Sequence, residues 1–482
     1  MKNEKKGSGC LGTILLLAAI FLVIYFFISS DTQSCTSGTP KPTLPHSSSS
    51  HPASEPSAEK ASAEPTSSDT ATAAQETPPS SDDWVLGDKR FTKNTAKHSY
   101  DALTNSRQRS MYEIFEASYD HISDDKFEDS YKTKALELSE SVYSDSDPSC
   151  DYDLSVAYDA FYADYPQAFW LNGYLTHRDA GATNYTLCIL SSYSPSVAER
   201  MKDEINSDIG HFYSTIPSDT DEYYLEKYVH DYLVDNCQYN ETVKAAESKD
   251  AADKYKKDHP EVSTIYGTLH QGDAICNGYA QAFQLLCKCV GIDSVYIAGD
   301  SNSNAGDWTD NSAHAWNAAL LSGDWYVVDV TWDDTEEPAC RYNYLNVTDS
   351  QISNDHMPYT MKEENDSEES SHGNVFLPAC TDLTYNYYVH DKDSIKISSI
   401  EDDQIGKAMV TSLEAGSDLI TLYLDPDSID FSEAKMLLFD NGNDNYMNRY
   451  LQYVSDHSKY SFTRYSYWPF ESRHAIVMTL NN

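Results

Sequence analysis

Basic side chains are scarce. The chain has 482 residues, with 34 Lys and Arg against 77 Asp and Glu and a formal net charge of −43. Nucleic-acid binders neutralise phosphates with clustered positive charge, so that class is excluded. Cysteine is sparse as well: ten in the whole chain are too few for a small disulfide-stapled scaffold. Hydrophobic residues at 40% and 37 tyrosines exclude a wholly disordered polymer. Acidity of this size bears on solubility and self-repulsion, not on chemistry.

Residues 31–83 lack aromatics altogether and contain one Leu, against 13 Ser, 8 Thr, 8 Pro and 7 Ala. Such a segment cannot bury enough apolar area to offset its chain entropy, and residues 29–84 are expected to be a disordered linker. It serves either as a spacer or as a simple tether, with a root-mean-square reach on the order of 40 Å. Just before it, Leu11–Ile28 is a run of 18 uncharged, mostly apolar residues. That length meets the threshold for a transmembrane helix. Lys2, Lys5 and Lys6 precede the run and no basic residue follows directly, so the positive-inside rule puts residues 1–10 in the cytoplasm as a short tip. The rest is then expected outside a cell membrane, held by a single-pass anchor. A cleaved signal peptide is the alternative, but Phe27-Ile28-Ser29 is too bulky for a cleavage site. Residues 1–10 carry +2 and residues 31–83 carry −6, which leaves −39 on residues 84–482.

Three stretches follow. Residues 85–215 mix helices, expected at Ser110–Ser123 and Tyr131–Val142, with strands around Phe169-Trp170-Leu171 and Tyr185–Leu190. Residues 216–380 carry the chemistry. Residues 381–482 read as a small α/β unit, with strands at Ser394–Ile400 and Asp418–Leu424, helices at Asp403–Glu414 and Phe431–Phe439, and a closing hairpin of Tyr460–Tyr467 with Ala475–Leu480. This last unit is either accessory to substrate positioning or purely structural.

Within the middle stretch, Tyr223–Asn236 has a helical apolar stripe, and the run after Gly278 meets no breaker until Gly291. A helix is therefore expected to begin at or near Cys276. A cysteine there faces the positive end of the helix dipole, which favours the nucleophilic thiolate. Downstream, Ser312–Leu320 and Gly323–Asp334 read as two strands joined by a Ser-Gly-Asp turn. In an antiparallel hairpin His314 pairs near residue 330 or 331, which brings Asp329 close to it. A carboxylate there can hold one imidazole nitrogen while the other faces the thiol.

Three elements in this order, Cys-Asn-Gly-Tyr-Ala at 276–280, His-Ala-Trp-Asn at 314–317 and Trp-Tyr-Val-Val-Asp-Val-Thr-Trp-Asp-Asp at 325–334, resemble the transglutaminase-like cysteine-enzyme superfamily. His230-Asp231-Tyr232 and Tyr344–Asp349 extend the resemblance. It implies an α+β, papain-like transglutaminase core with Cys276 as nucleophile, His314 as base and acid, and Asp329 as orienter. It also implies an acyl-enzyme formed on peptide or protein substrates outside the membrane, with hydrolysis and transamidation both open. A non-catalytic module binding cell-surface protein or glycan is the alternative. Asn277 stands where many relatives have Glu or Gln, which bears on substrate preference. Gln271 is a candidate oxyanion donor, and Trp316 and Trp332 are expected as walls and core.

No cofactor and no metal is expected. Asp300-x-Asn302-x-Asn304-Ala305-Gly306-Asp307 resembles a calcium loop, but its Gly is at position seven and position twelve is Asn311, so the spacing fails. Cys287 and Cys289 lack ligand partners, since His356 and Cys340 show no ligand spacing. Cys287 lies three helical turns after Cys276 and is expected in the core. Cys150, Cys188, Cys237, Cys340 and Cys380 could pair as disulfides outside the cell. Asn184, Asn240, Asn346 and Asn365 form sequons. Nothing in the sequence sets an oligomeric state.

Overall fold

The structure is a computed structural model and describes residues 84–481 except 145, 148, 219, 303–311, 362–372 and 441–444. The expected tip at 1–10, the span at 11–28, nearly all of the linker, Asn365 and most of Asp300–Asn311 lie outside the described residues. Among the described residues no helix is long and apolar enough to cross a membrane.

A five-stranded sheet opens the fold: β1 (Ile122–Phe127), β2 (Ser130–Thr133), β3 (Leu136–Leu138), β4 (Leu171–His177) and β5 (Tyr185–Ser191). All its pairings are antiparallel, with β2 and β3 along one edge of β5 and β4 along the other. The helix expected at 110–123 runs over Ser106–Ser118, because Asn105 caps it by accepting from the Gln108 N–H at 2.9 Å. The helix expected at Tyr131–Val142 is not formed. Those residues are β2 and β3, paired at Tyr131↔Ser191 and Leu136↔Leu187; the edge of β5 supplies hydrogen-bond partners that outweigh a weak local periodicity. Two helices absent from the sequence reading, Ser149–Asp164 and Pro195–Thr215, complete this region.

The middle stretch places the long helix Cys276–Val290 against an antiparallel sheet of order β10-β9-β8-β11. Its strands are β8 (Asp293–Ser301), β9 (Ser312–Leu321), β10 (Asp324–Val328) and β11 (His356–Pro358). Helix and antiparallel sheet segregated in this way give the α+β arrangement. A short parallel pair, β6 (Gln238–Tyr239) with β7 (Asp273–Ala274), leads into the helix. The helix expected over 223–236 spans Glu222–Asn236, started by Asp221, which accepts from the Tyr224 N–H at 3.0 Å. The β9–β10 turn has Ser322 at φ 51° and Gly323 at φ 105°, the two positive values that a tight two-residue hairpin requires.

The carboxy-terminal sheet has order β12-β13-β15-β14, from β12 (Ser394–Ile397), β13 (Ile420–Leu424), β14 (Arg464–Phe470) and β15 (Ala475–Asn481). β12 and β13 are parallel, as a strand–helix–strand crossover through Gln404–Glu414 demands. The helix Tyr446–His457 was missed although Met447, Tyr450, Leu451 and Val454 show the helical spacing and are buried. One apolar cluster joins Phe161, Trp170, Phe283, Leu286, Tyr326 and Val477, so residues from all three stretches share it. A second cluster lies inside the last unit.

Candidate active site

Cys276 is the first residue of its helix, as the sequence predicts, and Ile275 before it makes no side-chain cap. Cys276 as a residue is 7% exposed, beside Ala280, Tyr296, Ala298 and Ala315, with Tyr162 and Tyr359 against the same cluster. His314 stands on β9 opposite Gly299 of β8. Its Nε2 is 2.6 Å from Asp329 Oδ2, and the Cys276 side chain is near enough to help raise the imidazole's pKa. With Nε2 held by the carboxylate, Nδ1 is the nitrogen left for the thiol. The structure therefore brings Cys276, His314 and Asp329 together.

Asp329 reaches His314 in a way the hairpin reading did not foresee. β10 ends at Val328, paired with Asn317, and residues Val330–Asp333 are a short helix, not a continued strand. Asp329 is its N-cap, and Oδ1 accepts from the Trp332 N–H at 3.1 Å. The change of direction frees Oδ2 to face the imidazole. Burial disfavours charge on both partners. Even so, the mutual attraction of imidazolium and carboxylate and their hydrogen bond prevail, with His314 raised to about 10 and Asp329 held well below the ordinary carboxylate range.

His356 also contacts this carboxylate. Its Nε2 lies 2.9 Å from the same Oδ2 and its Nδ1 2.8 Å from Asp355 Oδ1. Sequence reasoning weighed His356 only as a metal ligand, and no motif spacing marks it as a neighbour of Asp329. His314, Asp329 and His356 are also the group of donors among the described residues close enough to hold a metal ion, their ligand atoms lying within 4.8 Å of one another. Here those atoms are engaged with each other. Trp316 and Trp332 pack on both rings: Trp316 stacks on His314, and Trp332 meets His356 edge-on at 4.6 Å. At the far end of the short helix, Asp333 Oδ2 is 3.2 Å from Nε2 of the fully buried His230.

Asn277 points into the protein. Its Nδ2 donates to the Tyr162 hydroxyl at 2.7 Å and to the Ser263 carbonyl at 2.6 Å, and its Oδ1 accepts from the Tyr296 hydroxyl at 2.8 Å. Gln271 is exposed and no contact joins it to the thiol. Cys287 and Cys289 are in the core, and Cys150, Cys188, Cys237 and Cys380 are buried free thiols. Asn240 caps the helix Glu241–Lys244 and Asn346 donates to Glu226 at 3.0 Å, both buried.

Comparison with known proteins agrees with the motif resemblance. Residues 213–330 match the family model described as the transglutaminase-like superfamily. Over 61 residues the chain is 36% identical to the kyphoscoliosis peptidase of Mus musculus and 34% to that of Homo sapiens. The match takes in 12% of this chain and 9% of each of those proteins, so the chain spans about a tenth of the length of these relatives. A solved structure described as a TGase shares 13% identity with a TM-score of 0.21, covering 35% of this chain and 46% of the other. The match to the transglutaminase-like superfamily thus falls on residues 213–330, the stretch that holds Cys276, His314 and Asp329.

Proposed function

We propose that the chain is a thiol enzyme that cleaves or transfers amide bonds of peptide or protein substrates through an acyl-enzyme on Cys276. The observation that carries this reading is the meeting of thiol, imidazole and carboxylate, with His314 2.6 Å from Asp329 and close enough to Cys276 for the two to interact. The Cys276 sulfur attacks the substrate carbonyl and forms a C–S bond. The oxyanion then collapses, the C–N bond breaks, and His314 gives its proton to the departing amine. The uncapped first turn supplies the Cys276 N–H as an oxyanion donor. Water or a primary amine next attacks the thioester, His314 takes the proton of the attacking group, and the thiolate is released. Peptidase in the names of the curated relatives supports peptide substrates. The Leu11–Ile28 run and the basic residues before it support a membrane-anchored, extracytoplasmic enzyme.

Thiol labelling tests the reading. Iodoacetamide should modify Cys276 rapidly near pH 7, located by peptide mapping, and His314→Ala should slow this by about a hundredfold. Uniformly slow modification, like that of the buried Cys287, would instead leave a binding module. A peptide panel with and without a primary amine then separates the reactions. Amine found in the product makes a transglutaminase; its absence makes a hydrolase.

A further inference from the structure

The geometry points to His356 as a positioning residue of the site: it fixes the Asp329 carboxylate that orients His314. This rests on the reading of His314 as the base of Cys276. Asp329 Oδ2 has two imidazole partners, His314 Nε2 at 2.6 Å and His356 Nε2 at 2.9 Å, and an ionised carboxylate oxygen only accepts. Both Nε2 atoms therefore donate. Oδ1 takes the Trp332 N–H, so three donors from two directions leave the carboxylate one orientation. Without His356 the group can turn about its Cβ–Cγ bond, and the hydrogen bond that selects the His314 tautomer loses its fixed direction.

His356 is itself held. Asp355 Oδ1 lies 2.8 Å from its Nδ1, and Asp355 Oδ2 accepts from the Tyr344 hydroxyl at 2.9 Å. Trp316, Trp332 and Tyr344 pack around the ring, and the residue is fully buried. Its arrival depends on β11 joining the edge of β8, with His356↔Ser301, Met357↔Asp300 and Pro358↔Gly299. Gly299 lies opposite His314 on the other side. A Cβ on Gly299 would collide with the Met357 carbonyl and the Trp316 ring, so the glycine lets β11 close in behind the triad. The arrangement is a second imidazole–carboxylate pair placed behind the first.

The test uses the full chain and three substitutions. His356→Gln keeps an N–H donor near the position of Nε2; His356→Asn is too short to present one there, and His356→Phe fills the space without a donor. The rate of Cys276 alkylation at pH 7 should stay within about threefold of wild type in H356Q and fall about tenfold or more in H356N and H356F. The downfield imidazole N–H proton of His314, followed by NMR on 15N-histidine protein, should persist in H356Q and weaken in H356F. A folded H356F that alkylates at the wild-type rate overturns the proposal, as does a folded H356Q as slow as H356F. If the substituted chains do not fold, wild-type 15N spectra decide: a protonated His356 Nε2 supports the role and a bare one overturns it. Slow alkylation of wild-type Cys276 would overturn the base assignment for His314 instead, while the His356 spectra still report on its bond to Asp329.

Discussion

Tyr162 and Asn277 are 115 residues apart in the chain and 2.7 Å apart in space, the Asn277 amide donating to the Tyr162 hydroxyl. The contact ties the helix Ser149–Asp164 to the residue beside the candidate nucleophile. Both Nδ2 hydrogens and Oδ1 of Asn277 are bonded within the protein, so the residue sets the seat of Cys276. Asn277→Ala leaves two tyrosine hydroxyls and a carbonyl without their partner. We expect a loss of about 2–4 kcal/mol in urea unfolding and slower Cys276 alkylation.

Asp329→Asn removes the negative charge and turns one of the two acceptor oxygens that serve His314, His356 and the Trp332 N–H into a donor, and should destabilise the fold by about 3–5 kcal/mol, with alkylation of Cys276 reduced as in His314→Ala. Thermal melting measures the first effect and peptide mapping the second. Wild-type stability with alkylation unchanged would remove Asp329 from the site.

Alkaline pH should weaken the fold through His314. Its folded value is about 10 against an ordinary value near 6.5. A raised value means that its contribution is complete below about pH 6.5 and is lost as pH rises through 10. The melting temperature should therefore fall more steeply between pH 7 and 10.5 in wild type than in His314→Gln.

Glu226 makes a second pH-dependent term. It is wholly buried, burial raises it to about 7 against the attraction of His230, and its Oε1 has no partner. A carboxyl raised in this way stabilises the fold fully below about pH 4.5, and that stabilisation is lost as pH rises through 7. Glu226→Gln should flatten stability across that interval and gain about 1–3 kcal/mol over wild type at pH 8. Chemical unfolding at pH 5 and pH 8 provides the comparison.

Gly278 sits in the first turn of the helix that Cys276 begins, where an added Cβ would lie 2.8 Å from Thr268 Oγ1 and 2.9 Å from the Thr264 carbonyl. Gly278→Ala must move the helix start or the neighbouring turn. A cost of about 1–3 kcal/mol is expected, together with slower alkylation of Cys276.

What the sequence determined by itself was local. Cys276 at a helix start, the stop at Gly291 and the Ser322-Gly323 turn depend on residues close in the chain, and three ordered motifs carry the resemblance that the family model matches over residues 213–330. The His314–Asp329 neighbourhood was legible too, because a two-residue turn fixes the register of a hairpin. Tertiary structure decided the rest. Tyr131–Val142 has a period near that of a helix, yet forms β2 and β3 because β5 offers an edge. Asp329 meets His314 from a helix cap where the strand has ended. Tyr162 and His356 reach the site from 115 residues before Asn277 and 27 residues after Asp329, through helix packing and a strand added to the edge of a sheet. Those placements come from burial and pairing between distant segments, for which no spacing within one segment gives a signal.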